Sequence, residues 1–209
     1  DLWGLEGGDD KPPEILKMVD RVRNIYERYL QRITAETARN SLLLFDGSLT
    51  GGTIDTPKQI LQDIVQASDQ NSNSILAFSK KTKLKTQQGQ RIAELLLGST
   101  NYPIFLPVSN LLERNMAQEI LGEVFVTRLC RLPIFFRVDI HAKKAEEAAS
   151  NLLRSVFMEH GYPKPLIQAH LHCYFNGHDA FAHRVVLGKR GVFVREEFDI
   201  RRLLYGIYG

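Results

Sequence analysis

Apolar residues near the start of the chain recur every three or four positions, which is the spacing of one helix face. The stripe consists of Ile15, Val19, Val22, Tyr26, Tyr29 and Ile33, and Met18, Ile25 and Leu30 widen it. The spacing predicts an amphipathic helix within residues 12–37, with Pro12 and Pro13 at its entry. The stripe covers fewer than three heptads. Packing on the same domain or on a second subunit is therefore favoured over an independent coiled coil.

Further along, short apolar runs bounded by turn residues alternate with helical patterns. Strands are predicted at 41–46, 74–79, 123–129 and 134–140, the last two as a strand pair. Helices are predicted at 57–69, 88–97, 143–159 and, after two prolines, within 162–175. Residues 102–112 form a broken stretch, and the tail from Val192 is expected to hold a strand and a short helix. This mixture predicts an α/β or α+β domain around one mixed sheet.

Composition and charge indicate the size of the core and the kind of partner that the chain could bind. The chain has 209 residues, 44% of them apolar, which is enough for one main core. Its net charge is +3, but residues 1–11 form a Gly- and Asp-rich tail of charge −3, expected to be flexible, so the remainder carries +6. A basic body fits a polyanionic partner, although many ordinary enzymes are equally basic.

The cellular setting is predicted from cysteine use and hydropathy. Cys130 and Cys173 are far apart and form no CxxC motif, which favours a reducing compartment. No apolar run approaches the roughly 20 residues that span a bilayer, and the first thirty residues lack a signal-peptide pattern. We therefore expect a cytoplasmic protein with no membrane partner. The first residue is not Met, so processing or a missing N-terminal segment is expected.

Three acids lie at strand positions where apolar residues are the norm. Asp46 ends the first strand in "FDGS", Asp139 lies between Val138 and Ile140, and Glu123 begins another strand. A lone acid at a strand end is most often a cap or turn residue, and "DGS" is typical of a turn. Acids on strands of one sheet can also converge, and oxygen ligands of that kind suit Mg²⁺ or Mn²⁺. Arg137 has the same strand parity as Asp139 and is a possible ion-pair partner for it.

Histidines and lysines supply other candidates. His160, His170, His172, His178 and His183 cluster late in the chain, but no cysteine pair completes a zinc site, so structural zinc is a minor alternative. No GxSxG, Walker or GxGxxG motif occurs. Lys81, Lys83 and Lys85 in "KKTKLK" would share one face of an extended segment, either as a phosphate-binding surface or as a solvated edge.

Three motifs in order resemble the NurA nuclease family: "LLLFDGS", then "FFRVDI", then "GYPKPLIQAH". The resemblance covers about residues 38–185, so residues 38–209 are expected to form a NurA-like nuclease domain. It implies an RNase H-like mixed sheet with flanking helices, a homodimer, and a manganese-dependent deoxyribonuclease, with magnesium as the other possible ion. It also implies 5′ to 3′ degradation and internal cutting of single strands, in DNA end resection and repair. The implied partners are single- and double-stranded DNA and the hexameric ATPase HerA.

Residue roles follow from the same resemblance. Asp46 and Asp139 match metal aspartates, His170 matches the motif histidine and Tyr162 the tyrosine before it. Glu123 is the expected third acid, with Glu119 as the other choice. Asp46, Glu123, Asp139 and His170 are thus the expected metal ligands, and these four with Tyr162 the expected catalytic residues. Lys80, Lys81 and Lys83 are the expected DNA contacts.

Two other functions compete with the nuclease. One is a nucleic-acid-binding or assembly module on the same fold that has lost catalysis, since fold does not guarantee function. The other is an unrelated zinc-bound structural protein, which would need the histidine cluster as its site.

Overall fold

The computed structural model describes residues 14–52, 57–173 and 177–191. The predicted acidic tail at 1–11 and the strand and helix expected after Val192 lie outside these ranges. The chain divides into two compact units, Asp1–Leu166 and Ile167–Gly209. The first unit contains the sheet. The second contains the end of one helix and the whole of the next.

Helices and strands alternate along the described part of the chain, as the hydrophobic pattern predicts, and α6 belongs to the second unit. The helices are α1 (Glu14–Thr37), α2 (Lys58–Gln70), α3 (Arg114–Ala117), α4 (Ala145–Ser155), α5 (Lys164–His172) and α6 (Gly177–Lys189). The strands are β1 (Leu42–Asp46), β2 (Ser74–Ser79), β3 (Ile104–Pro107), β4 (Glu123–Arg128), β5 (Phe136–His141), β6 (Met158–Glu159) and β7 (Tyr162–Pro163). The main sheet has the order β1-β2-β5-β4-β3, with β1 and β2 parallel and the other neighbours antiparallel. The expected mixed sheet with flanking helices is confirmed.

Several predicted boundaries differ from the structure. The helix predicted at 88–97 is only a 3₁₀ segment, Ile92–Leu96, and the broken stretch at 102–112 contains the edge strand β3. Pro107 is tolerated there because an edge strand has one side without ladder hydrogen bonds. Tyr162–Pro163 pairs with Met158–Glu159 as a small hairpin, so the helices predicted on either side are shorter than expected.

Apolar layers cover both faces of the sheet. On one face, Leu43, Phe45, Ile75 and Ala77 pack with residues of α1 and α2, including Ala35, Leu61 and Ile64. On the other face, Leu76, Phe78, Val138 and Ile140 are fully buried, and α4 contacts β1 and β5. A second apolar cluster packs residues 84–120 against Val124 and Val126 of β4. This cluster fixes the lysine-rich segment beside the sheet.

Helix α1 packs against α2 and β1 with the face that carries Arg28, Gln31 and Ala35. Gln31 and Ala35 are buried, and Arg28 donates hydrogen bonds to Gln31 and to the carbonyl of Ser48. The predicted apolar stripe is exposed where its side chains are described, at Met18, Val22, Ile25, Tyr26, Tyr29, Leu30 and Ile33. The helix pattern is confirmed, and the structure decides which of its faces is free. No helix within the described ranges is long and apolar enough to cross a membrane.

Candidate functional site

Asp46 lies at the end of β1, and a sharp turn follows it. The Gly47 amide donates to the carbonyl of Phe78 (2.7 Å), and the Ser79 hydroxyl donates to the Gly47 carbonyl (2.7 Å). Gly47 has a φ of +116°, a conformation that side chains with a Cβ rarely adopt. A Cβ at this position would meet nothing within 4 Å, so the glycine is needed for backbone conformation and not for space.

Among the described residues, two side chains contact the Asp46 carboxylate. The Tyr162 hydroxyl donates to Oδ1 at 3.0 Å, and the Lys80 ammonium lies 2.9 Å from Oδ2. Lys80 Nζ also lies 5.0 Å from the centre of the Tyr162 ring, within the range of a cation–π contact. The structure therefore brings together three of the residues predicted for the site, from β1, β7 and the segment after β2.

Tyr162 is buried and rigidly packed. Its ring packs edge-on against Phe78 at 5.7 Å and tilted against Phe136 at 5.2 Å. Burial raises the pKa of Tyr162 above its ordinary value, and the charge of Asp46 and the hydrogen bond to it raise the pKa further. The hydroxyl is therefore a neutral hydrogen-bond donor at pH 7, suited to orienting Asp46 and not to accepting a proton.

Asp139 occupies a different environment from Asp46. Asp46 is paired with Phe78, and Asp139 with Ala77, so the two acids point to opposite faces of the sheet. Asp139 is fully buried, and Arg137 donates to both of its oxygens at 2.6 and 2.7 Å. Burial raises the pKa of Asp139, while Arg137 and the amide of Leu49 oppose that rise. This arrangement does not bring Asp46 and Asp139 together on one face, and their sharing of one ion stays a prediction.

The two candidate glutamates, Glu123 and Glu119, have different surroundings from Asp46. Glu123 is exposed at the first position of β4, opposite Ile140 in the ladder. The preceding Gly122 is required, because a Cβ there would lie 2.6 Å from the Ile140 carbonyl oxygen. Glu119 has its carboxylate packed against the backbone of Gly52. Within the described residues, neither glutamate forms a hydrogen bond or an ion pair with Asp46 or Asp139; the partners of these two aspartates are Tyr162, Lys80, Arg137 and the Leu49 amide.

His170 and His172 both lie on α5 in the second unit. The predicted role of His170 beside the acids stays a prediction, as does the dispensability of His172. The side chain of His178 lies outside the described residues. Across the part of the chain that the structure describes, no three histidine, cysteine or acidic side chains are grouped closely enough to hold a metal ion. The acids of the first unit are therefore not gathered into one site, and manganese binding with His170 stays a prediction.

A basic groove adjoins the Asp46 site. Its volume is about 720 Å³, and its cationic lining is Lys80, Lys81, Lys83, Lys85, Arg91 and Arg137. Leu84 and Thr86 are buried and alternate with the exposed Lys83 and Lys85, as an extended segment requires. Arg91 was missed from sequence, because a backbone bridge to Lys85 brings it there and no local motif marks it. Phe135 also lines the groove.

The structure thus combines an α/β fold with a strand-end carboxylate that lies beside a basic groove. Its fold is similar to the crystal structure of the NurA nuclease from Sulfolobus solfataricus, with a TM-score of 0.54 and 16% sequence identity. The alignment covers 88% of this chain and 70% of that chain. At this identity the likeness shows a NurA-like fold. No protein-family model and no curated protein sequence matches the chain.

Proposed function

We propose that this protein is a NurA-like nuclease that hydrolyses DNA phosphodiester bonds beside Asp46. The observation that carries the proposal is the position of Lys80, whose ammonium group pairs with Asp46 and also lines the basic groove. A phosphate backbone in the groove would therefore pass next to a carboxylate. The likeness to a nuclease fold supports the same conclusion.

The cations of the groove explain substrate binding. Lys80, Lys81, Lys83, Lys85 and Arg91 would neutralise successive phosphates, which supplies most of the affinity for nucleic acid independently of sequence. Phe135 offers an aromatic surface at the same groove, a feature of single-strand binding sites. Binding would be strongest at low salt.

Asp46 would carry the chemistry. When Lys80 moves from Asp46 to a phosphate, the freed carboxylate accepts a proton from an attacking water. The water oxygen bonds to phosphorus, the P–O bond to the leaving group breaks, and the leaving oxygen takes a proton from solvent. Tyr162 holds Asp46 in place through its hydroxyl. Dependence on Mn²⁺ or Mg²⁺ stays a prediction from the resemblance, and no step is assigned to an ion.

A nuclease assay tests this proposal. Purified protein is incubated with labelled single- and double-stranded DNA, with Mn²⁺, with Mg²⁺ and with EDTA. We expect cleavage by the wild type and a loss of about 10²–10⁴-fold in rate for Asp46→Asn, the usual range for a removed proton-transfer group. Asp63→Asn is the matched control, because Asp63 forms an ion pair with Arg32 on the surface of the α1–α2 pair. Unchanged cleavage by Asp46→Asn would refute the site.

A catalytically inactive DNA-binding module is the second candidate. The neutralisation of Asp139 by Arg137 favours it, as does the lack of a three-ligand group among the described residues. In this case the wild type retards DNA in a gel but does not cut it under any of the metal conditions. The assay above therefore separates the two candidates.

His170 offers a second test of the catalytic proposal. If His170 assists proton transfer, His170→Ala lowers the rate by about 10²–10⁴-fold. His172→Ala should stay near wild type, because residues two apart do not share a helix face. Equal behaviour of the two variants would show that His170 is not the proton-transfer group.

The exposed apolar stripe of α1 supports a homodimer as part of this proposal. Val22, Tyr26 and Tyr29 are more than half exposed at 66%, 60% and 58%, and a contiguous apolar stripe of this kind marks interaction surfaces. Light scattering should give twice the chain mass, and Ile25→Glu should give the monomer mass. Thr34→Glu, beside the stripe, is the control. A wild-type monomer at micromolar concentration would contradict the dimer.

The cellular role is proposed from the resemblance. It comprises 5′ to 3′ resection of DNA ends, internal cutting of single strands, and action in the cytoplasm with a HerA-type hexameric ATPase. End-labelled duplexes test the polarity, since 5′-labelled substrate would lose its label first. Co-purification with such an ATPase tests the partnership.

A further inference from the structure

Asp139 and Arg137 hold the segment that follows Asp46. Asp139 Oδ2 accepts a hydrogen bond from the Leu49 amide at 2.9 Å, in addition to the two bonds from Arg137. Arg137 Nη2 also donates to the Thr50 hydroxyl at 2.8 Å. The ion pair therefore contacts two successive residues of this segment, at a point three residues beyond Asp46.

The other side of the same segment is also fixed. The Leu49 carbonyl accepts from the Leu121 amide at 2.9 Å, and the Gly51 amide donates to the Glu119 carbonyl at 2.8 Å. The Leu49 side chain is fully buried in the core between the sheet and α2. Residues 49–51 are thus held between β5 on one side and residues 119–121 on the other.

An ion would reach Asp139 only with difficulty. It would have to displace Arg137 from both oxygens of a fully buried carboxylate. Asp139 also lies two strands away from β1, about 10 Å at normal strand spacing, and faces the opposite side of the sheet from Asp46. Buried ion pairs add little stability over apolar residues of the same size, so the contribution of this pair is geometric.

We infer that Asp139 and Arg137 form a buried clamp that positions Asp46, and that Asp139 is a positioning residue in this chain and not a metal ligand. The effect on cleavage rests on the proposed function. The clamp itself does not, because its hydrogen bonds can be measured in the absence of DNA.

Hydrogen exchange of the full chain tests the clamp directly. The paired variant Arg137→Met/Asp139→Leu removes both charges together and leaves apolar side chains in their place, so it is expected to fold. We expect the Leu49 amide to exchange about tenfold faster or more, because it loses a charged acceptor, while Val138 in the central ladder is unchanged. Unchanged exchange at Leu49 overturns the inference.

Titration with MnCl₂ alone separates a clamp from a ligand. The paired variant should bind Mn²⁺ as the wild type does, whether or not the wild type binds it. A loss of about tenfold or more in Mn²⁺ affinity would make Asp139 a ligand and overturn the inference.

Thr50→Val keeps the inference testable if the paired variant does not fold. It removes only the hydroxyl that accepts from Arg137, and should speed exchange at Leu49 and lower kcat for DNA cleavage with KM unchanged. Thr127→Val is the matched control, since the buried Thr127 hydroxyl donates to the Phe136 carbonyl instead. Equal exchange at Leu49 in the two variants counts against the clamp. If the protein cuts no DNA, the proposed function is refuted. Hydrogen exchange at Leu49 would still show whether the clamp exists.

Discussion

Asp46 and Asp139 share a local pattern, an acid in an apolar strand, but the fold gives them opposite environments. Asp46 is 39% exposed and its partner Lys80 is 52% exposed. Asp139 and its partner Arg137 are 0% and 7% exposed. The first pair is held by one contact that water can replace, and the second by two hydrogen bonds inside the core. The comparison shows that an exposed acid at a strand end can change its ion-pair partner. A buried acid keeps its partner and contributes to the geometry of the core.

This difference has a direct functional meaning. An exposed ion pair contributes little stability, so Lys80 can leave Asp46 for a phosphate at small cost. Separating Arg137 from Asp139 leaves a charge in the interior and is expensive. Of the two acids, Asp46 is therefore the one that the proposed function places beside the substrate.

The largest expected effect comes from breaking the buried pair. Arg137→Met leaves the Asp139 carboxylate without its partner, so the free energy of unfolding should fall by about 3–5 kcal/mol. Urea unfolding measures the change. Stability should return in the paired variant Arg137→Met/Asp139→Leu. A decrease in the free energy of unfolding of less than about 1 kcal/mol would show that the buried pair contributes no more than a surface pair, and the two acids would then not differ in this respect.

Tyr162→Phe probes the buried side of the Asp46 site. The ring contacts with Phe78 and Phe136 remain, and only the hydrogen bond to Asp46 is lost. We expect stability to fall by about 1–2 kcal/mol, the range for a hydrogen bond to a charged group that is partly exposed. Tyr102→Phe, at an exposed position, is the control for removing a hydroxyl. Equal stability of the two variants would mean that Tyr162 does not hold Asp46.

Lys80→Met should affect stability least and DNA binding more. The exposed pair contributes about 0–1 kcal/mol, so urea unfolding should change little. The affinity for DNA should fall, and the slope of log K against log salt should decrease by about 1, since one phosphate contact is lost. Lys143→Met, an exposed lysine outside the basic groove, is the control. A slope unchanged from wild type would exclude Lys80 from the DNA site.

A pH titration sharpens the contrast further. The pKa of Tyr162 is raised above its ordinary value of 10, so the folded chain keeps this proton where the unfolded chain loses it. Stability from Tyr162 is therefore fully present below pH 10 and falls as pH rises above it. The difference in tyrosinate absorbance between wild type and Tyr162→Phe should appear only at a pH above 10, on unfolding. A difference centred at the ordinary pKa would show that Tyr162 is exposed to solvent.

Local patterns in the sequence determined most of the elements. Short apolar runs and the alternation of apolar and polar residues predicted β1, β2, β4 and β5. Apolar residues spaced three and four positions apart predicted α1, α2 and α4. The turn at Asp46–Gly47 could also be predicted, because a glycine after a strand-end acid is typical of a turn. The positive φ that the turn requires concerns Gly47 alone. These features depend on neighbours in the chain, which a sequence displays.

The tertiary structure alone decided the partners of each side chain. Tyr162 reaches Asp46 from 116 positions away, and Asp139 binds the Leu49 amide across 90. Strand order and register set which acids share a face, and no local pattern contains that information. The same holds for α1, whose apolar stripe was plain in the sequence while its exposure depends on which face packs against α2. Periodicity fixes a face of a helix or a strand, but only the packed fold determines what that face meets.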